Sequence, residues 1–208
     1  MKFKTPQEEF WAGSFGNEYI DRNKSVKLIP SRMAMFSKIL SRTSAIKTVI
    51  EFGSNIGHNL IALRQLLPNS ELSAIELNEK AVAIIKKWGQ AKVYHQSILN
   101  FECDYPRDFV FTSGVLIHIN PEALPDVYDK LYKTSKKYIG IVEYYNPTPV
   151  EIEYRGHKEK LFKRDFAGEL LDRFSDLKLL DYGFIYKRDP VFPLDDCSWF
   201  VLEKMPAK

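Results

Sequence analysis

The chain has 208 residues, 30 Lys plus Arg against 27 Asp plus Glu, and a formal charge of +3, so one domain with a sizeable core is expected. Hydrophobic residues at 45% and charged residues at 27% exclude collagenous, low-complexity and disordered classes. The near balance of charge argues against nucleic acid or an anionic membrane surface as partner. Cys103 and Cys197 stand far apart with no other thiol near, so no metal-ligand spacing or disulfide framework is visible and a reduced, cytoplasmic setting is expected. No window reaches the roughly 18 apolar residues of a membrane span, and the first eleven residues lack the apolar core of a signal peptide.

Thr5 can cap a helix whose first position is Pro6, and the lead-in that follows carries Phe10, Trp11 and Tyr19. Met33, Phe36, Ile39 and Leu40 recur at helical spacing and predict a second helix over about 30–42. Thr48-Val49-Ile50-Glu51-Phe52 is a β-rich run that stops at Gly53, and helical periodicity resumes over 59–67 until Pro68-Asn69-Ser70 breaks it. The alternation continues with strands over 72–76 and 91–95 around a helix over 79–88, then a strand over 109–113, a helix over 123–134 and a strand over 138–145. Strands separated by helices of about ten residues need crossovers, which make a parallel sheet covered on both faces.

The end of the chain breaks that rhythm. Residues 151–165 read as a loop and a helix start, 165–174 as a helix, and 177–186 and 197–203 as strands. Only residues 187–196 join those two strands, too few for a crossover helix, so they are expected to pair antiparallel as a hairpin. The expected fold class is α/β: a mostly parallel seven-stranded sheet ending in an antiparallel hairpin, with helices on both faces. It forms one domain, with a helical lead-in over 1–45, a core over 46–145 and a tail over 146–208.

Chemistry first shows at Glu51-Phe52-Gly53-Ser54-Asn55-Ile56-Gly57, a strand opening through glycines into a helix. Gly53 permits the tight turn, and Gly57 lets the backbone approach a ligand beside a helix amino terminus. Nineteen residues past Gly57, Glu76 ends the second strand, where a carboxylate can accept both hydroxyls of a ribose. The set points to a nucleoside ligand. Dinucleotide enzymes turn backbone amides toward a pyrophosphate, which a carboxylate at Glu51 would repel; Glu51 suits a ligand carrying an ammonium group.

Over about residues 47–203 the sequence resembles the class I S-adenosylmethionine-dependent methyltransferases, whose first motif looks like Glu/Asp-x-Gly-x-Gly-x-Gly. The resemblance implies a Rossmann-like fold, S-adenosylmethionine as cofactor and S-adenosylhomocysteine as product. It also implies that the segment from Gly53 to Gly57 lies against the methionine part, Glu76 holds the ribose, and Ser97 and Ile98 meet the adenine, with Ser113 completing the set. Asn55 stands in place of the middle glycine and tolerates positive φ better than most residues. Trp11 and Tyr19 are candidates for a lid over the cofactor.

Across its whole length the chain is similar to the methylases associated with pseudaminic acid biosynthesis. Glu8-Glu9-Phe10-Trp11, Gly114-Val115-Leu116-Ile117-His118-Ile119-Asn120-Pro121, Tyr144-Tyr145-Asn146-Pro147-Thr148-Pro149, Tyr154-Arg155-Gly156-His157, Phe162-Lys163-Arg164-Asp165-Phe166-Ala167-Gly168 and Arg188-Asp189-Pro190-Val191-Phe192-Pro193 carry that resemblance. The implied acceptor is a bacterial nonulosonic acid or one of its sugar precursors.

In an open α/β sheet the reacting pocket lies beyond the carboxyl ends of the strands. His118, Glu143, Tyr144 and Tyr145 are therefore the acceptor-side candidates: His118 as a base, Glu143 as a strand-end acid, Tyr144 and Tyr145 as pocket walls or cation–π partners of a sulfonium. Asn146, Arg155, His157, Lys163 and Arg164 are candidates for an anionic sugar acid, with Arg155-Gly156-His157 first because its glycine permits close approach. Two competing readings are a methyltransferase of another small molecule, a protein or a nucleic acid, and a non-catalytic nucleoside-binding scaffold.

Overall fold

The computed structural model describes residues 2–205. Five strands alternate with helices: β1 (Thr48–Phe52), β2 (Glu71–Glu76), β3 (Lys92–His95), β4 (Arg107–Ser113) and β5 (Ser135–Glu143). They pair in parallel, and the sheet closes with β8 (Leu177–Ile185) and β9 (Cys197–Lys204) in the order β3-β2-β1-β4-β5-β9-β8. β9 is antiparallel to both β5 and β8, so it alone runs against the other six strands. The chain reverses direction across the sheet between β1 and β4, and a ligand crevice opens there, at the carboxyl ends of the strands.

The pleat divides the core. Ile50, Phe52, Val110, Ile139 and Ile141 face one layer with Leu124, Val127 and Leu131 of α6 (Leu124–Thr134) and Phe166 and Leu170 of α7 (Phe166–Arg173). Val49, Phe109, Phe111 and Val201 face the other, against Met35, Phe36 and Ile39 of α3 (Ile29–Leu40), Leu60 and Leu63 of α4 (His58–Leu66) and Ile85 of α5 (Glu79–Trp88). Continuous apolar runs in the central strands follow from that two-sided burial. Among the described residues no helix is long and apolar enough to cross a membrane.

The lead-in is helical as expected, and the tail departs from expectation. Gly13 splits the lead-in into α1 (Pro6–Ala12) and α2 (Ser14–Asn23); α1 starts on a capping box in which Thr5 accepts from the Glu8 amide and Glu8 accepts from the Thr5 amide. Most of residues 151–165 is strand rather than loop: β6 (Val150–Tyr154) and β7 (His157–Lys163) form a separate two-stranded antiparallel ribbon, and only 164–165 lead into the expected helix start. Its turn is Arg155-Gly156, with φ of +51° and +83°, the pattern of a two-residue hairpin turn in which both central residues are left-handed.

Candidate active site

The glycine turn after β1 is held mainly through its own backbone amides. Gly53 and Ser54 donate to the Ile75 carbonyl at 2.9 and 3.1 Å, and Gly57 donates to Ser54 at 2.9 Å. Gly53 has φ of +77°, and a Cβ there would come within 2.7 Å of Val115 Cγ2, so glycine is required both by conformation and by space. Asn55 takes φ of +46°, and its amide donates to Glu76 Oε2 at 2.7 Å. The Asn78 amide donates to Glu76 Oε1 at 2.7 Å. Burial pushes the Glu76 carboxyl up from its ordinary value while these amides oppose the rise. Both oxygens keep a lone pair free for further donors.

Beside this turn lies a charged relay. Asn59 of α4 donates to Glu51 Oε1 at 2.6 Å, and Arg32 of α3 donates to Asn59 Oδ1 at 2.6 Å. Glu51 is 1% exposed, and among the described residues its Oε2 has no partner; neither does Arg32 Nε. Burial raises the Glu51 pKa to about 8, partly offset by Asn59 and the Arg32 charge. One buried carboxyl oxygen and one buried guanidinium N–H thus stand unsatisfied in the wall of a single cleft.

The cleft runs along the strand ends from Ser113-Gly114-Val115 past Gly53 and Glu76 to Gln96 and Leu99, and α1 and α2 roof it with Gln7, Glu8, Trp11, Tyr19 and Ile20. Hydrogen bonds pin the roof to the sheet edge and to the ribbon. Asn78 Nδ2 donates to the Trp11 carbonyl at 3.1 Å and to Asn17 Oδ1 at 3.0 Å, Ser97 Oγ donates to Glu8, and Gln7 Nε2 donates to the Glu159 carbonyl of β7 at 3.0 Å.

His118 lies in a short turn of 3-10 helix (Leu116–His118) after β4 and lines the cleft. Its Nδ1 donates to the Lys160 carbonyl at 2.5 Å, which leaves Nε2 with the lone pair. Burial lowers its pKa to about 4, so the ring is neutral at pH 7. Trp11 and Tyr154 flank it, with ring centroids 4.6 and 5.0 Å away. Beneath, the Glu143 carboxylate accepts the Val115 amide at 3.0 and 3.1 Å and the Leu116 amide at 3.1 Å, fixing the loop that carries His118. Burial raises Glu143 to about 7 against those donors.

Of the cofactor-side expectations, Trp11, Tyr19, Glu51, Gly53, Asn55, Glu76, Ser97, Ile98 and Ser113 line the cleft, and so does His118. Gly57 does not; it caps α4 in the left-handed conformation over Ile85. Glu143 is a floor group committed to backbone amides rather than a wall residue. Tyr145 is 44% exposed and packs near Phe200, two residues past the end of β5 and outside the cleft lining, because the strand that would have fixed its direction stops at Glu143.

The acceptor-side set scatters. Arg164 is paired with Glu169 at 2.6 Å, Asn146 closes its own turn on the Thr148 carbonyl at 2.6 Å, and His157 packs on Phe10 and Phe15 of the roof. Tyr144 stays half-buried under Lys163, whose Nζ is 5.1 Å from the ring. Arg155 sits exposed at the ribbon turn beside Tyr154. Burial raises Tyr19 to about 12 and also raises Tyr144 and Cys197, with the negative charge of Asp195 adding to all three. Arg32, Asn59, Gln7 and Glu8 line the cleft and were not singled out by reading motifs. Arg32 had a signal: it falls three and four residues before Met35 and Phe36, on the buried stripe of its helix.

No protein-family model matches the chain, and no curated protein matches it. Solved structures do. The 1,6-didemethyltoxoflavin-N1-methyltransferase of Burkholderia thailandensis, with bound S-adenosylhomocysteine, is 12% identical over 99% of this chain and 93% of its own, with a TM-score of 0.69. Magnesium protoporphyrin IX methyltransferase from Synechocystis, also with S-adenosylhomocysteine, is 14% identical over 97% and 100% at a TM-score of 0.69. An N-methyltransferase of Bradyrhizobium japonicum is 14% identical over 85% and 96% at 0.64. The chain therefore has the Rossmann-like class I methyltransferase fold.

Proposed function

We propose that this chain is an S-adenosylmethionine-dependent methyltransferase that methylates an oxygen or nitrogen of a small-molecule acceptor and releases S-adenosylhomocysteine. The observation that carries the reading is the pair of orphaned polar atoms, Glu51 Oε2 and Arg32 Nε, bridged by Asn59 next to the glycine turn, with Glu51 ionising as an ammonium group binds beside it. An α-amino acid headgroup bears one ammonium and one carboxylate and satisfies both; a pyrophosphate satisfies neither a buried carboxylate nor the geometry of the relay. Glu76, one strand over, would then hold the ribose hydroxyls, and Ile98 would pack on the adenine. The solved neighbours with S-adenosylhomocysteine support the same ligand.

When bound, the cofactor supplies an electrophilic methyl on a sulfonium. The residues of this chain have to dry the site, align the acceptor and accept its proton. The roof with Trp11 and Tyr19 excludes water. His118 Nε2 offers a lone pair to the acceptor O–H or N–H. Because burial disfavours imidazolium, His118 orients the nucleophile and takes the proton as the new bond forms, not before. Glu143 acts by positioning the His118 loop.

The acceptor is a nonulosonic acid of pseudaminic type or a sugar precursor, made in bacterial surface glycan biosynthesis. Its support is the set of strings from Gly114 to Pro121, Tyr144 to Pro149 and Tyr154 to His157. Arg155 and Lys163, exposed or half-exposed without a salt-bridge partner within 4.0 Å among the described residues, are available to its carboxylate. Titration calorimetry tests the cofactor: a micromolar dissociation constant for S-adenosylhomocysteine and no heat with NAD are expected, and the reverse overturns it. For the acceptor, cells lacking the protein should show nonulosonic acids lighter by one CH2; unchanged masses overturn that part.

A further inference from the structure

The cleft crosses the strand ends in the order β4, β1, β2, β3, so its far end from Glu51 is the wall of Leu77, Gln96, Ser97, Ile98 and Leu99. Helix α1 roofs that end and is tied to it. Lys4 Nζ donates to the Leu99 carbonyl at 2.8 Å, and Glu8 accepts from Ser97 Oγ. Of the polar side chains there, Gln96 is only half-buried and open to solvent, while the buried Ser97 and Glu8 are already committed. Ser97 Oγ also accepts the Leu99 amide at 3.0 Å, and Glu8 Oε2 accepts the Lys4 and Thr5 amides at 2.5 and 2.8 Å.

Gln7 is the exception. It is 5% exposed and lines the cleft, and its Nε2 donates to the Glu159 carbonyl, which fixes which way round the amide lies. Gln7 Oε1 is then a buried acceptor with no donor among the described residues. Such an atom is costly to bury unless something supplies an N–H or O–H. The apolar neighbours Leu77 and Ile98 suit a flat heterocycle, so the missing donor belongs on the edge of a ring.

Resting on the cofactor reading above, we propose that the roof helix reads the nucleobase: Gln7 Oε1 accepts a hydrogen bond from the exocyclic 6-amino group of a purine, so α1 closes on adenine and rejects a 6-oxopurine. A 6-oxo group would set an exocyclic carbonyl oxygen against Gln7 Oε1, acceptor against acceptor, with the Glu8 carboxylate on the next residue adding to the repulsion. Through Glu159, the same glutamine ties nucleobase recognition to the ribbon that carries Arg155.

The test compares S-adenosylhomocysteine with S-inosylhomocysteine on the wild type, Gln7→Leu and Gln7→Glu. Both variants lose the bond donated to Glu159, so a merely structural role lowers affinity for both ligands in both variants and leaves the ratio alone. The expected wild-type ratio is about tenfold or more in favour of the amino ligand. Gln7→Glu, which keeps an acceptor, should preserve it, and Gln7→Leu should bring it within about threefold. A full ratio in Gln7→Leu, or no preference in the wild type, overturns the proposal and leaves the cofactor reading standing. Failure of the wild type to bind S-adenosylhomocysteine overturns the cofactor reading itself.

Discussion

Replacing Glu51 with Gln should stabilise the free protein at pH 8 and weaken its hold on the cofactor. Burial lifts the Glu51 carboxyl from an ordinary 4.5 to about 8. Between those values the folded protein keeps a proton that the unfolded chain releases, so stability contributed at low pH is lost as pH rises through the window. The loss amounts to something on the order of 4 kcal/mol by pH 8. Gln is the neutral isostere of the protonated acid and carries no such penalty. Melting temperatures of wild type and Glu51→Gln should therefore nearly coincide at pH 5 and separate steadily toward pH 8, with the variant higher by about 10 °C for a chain of this size. Binding goes the other way. The ammonium of the ligand needs ionised Glu51, so wild-type affinity should rise with pH up to about 8, where the α-amino group itself begins to lose its proton. At pH 8 Glu51→Gln should cost about 2 kcal/mol, roughly thirtyfold in Kd, and at pH 6.5 the difference should shrink to a few-fold. Thermal melts and titration calorimetry from pH 5 to 8.5 read both effects. A variant that melts lower than wild type at pH 8, or binds S-adenosylhomocysteine undiminished there, refutes the assignment of Glu51.

His118→Asn is expected to lower turnover by about a hundredfold with the cofactor Kd within about twofold, and unchanged turnover removes His118 from the reaction. Because its pKa is near 4, wild-type turnover should show no His118 titration between pH 5.5 and 8. Arg155→Asn relieves a left-handed arginine and should raise stability by about 1 kcal/mol, while the acceptor KM rises about tenfold through loss of a charged hydrogen bond. A normal KM returns Arg155 to a plain turn residue. Gly53→Ala forces a Cβ into Val115 at a φ of +77° and should cost about 3 kcal/mol and abolish cofactor binding; a stable, binding-competent variant contradicts the turn geometry.

The strand and helix alternation was readable because both faces of the sheet are buried: runs such as Phe109 to Phe111 are apolar throughout, and the helices between carry one stripe each. The terminal hairpin followed from the short connection over residues 187–196. The β6–β7 ribbon was missed although Val150, Ile152 and Tyr154 alternate with acids. Val150 and Ile152 remain 39% and 37% exposed, so the pattern is not that of a core strand, and Arg155-Gly156 lacks the Asn-Gly turn signal. Within the site, Gly53, Glu51 and Glu76 are one motif contiguous in space, which sequence spacing can show. Arg32, Gln7 and Glu8 reach the same cleft from helices outside it. Only tertiary packing brings them there, although an arginine on a buried helical stripe and a Thr-x-x-Glu capping box were both visible. Glu143 and Tyr145 show the reverse failure: being at a strand end does not decide whether a side chain meets the cleft, the floor or solvent.

The account turns on one placement: an amino acid headgroup between Glu51 and Arg32, with the attached nucleoside running toward Gln7. A crystal structure of the protein with S-adenosylhomocysteine measures it directly. The predicted result is the ammonium on Glu51 Oε2, the carboxylate on the Arg32 guanidinium, the ribose hydroxyls on Glu76 and the adenine against Ile98. A ligand lodged elsewhere, or lying in the cleft with its amino acid end at Ser97, would contradict it.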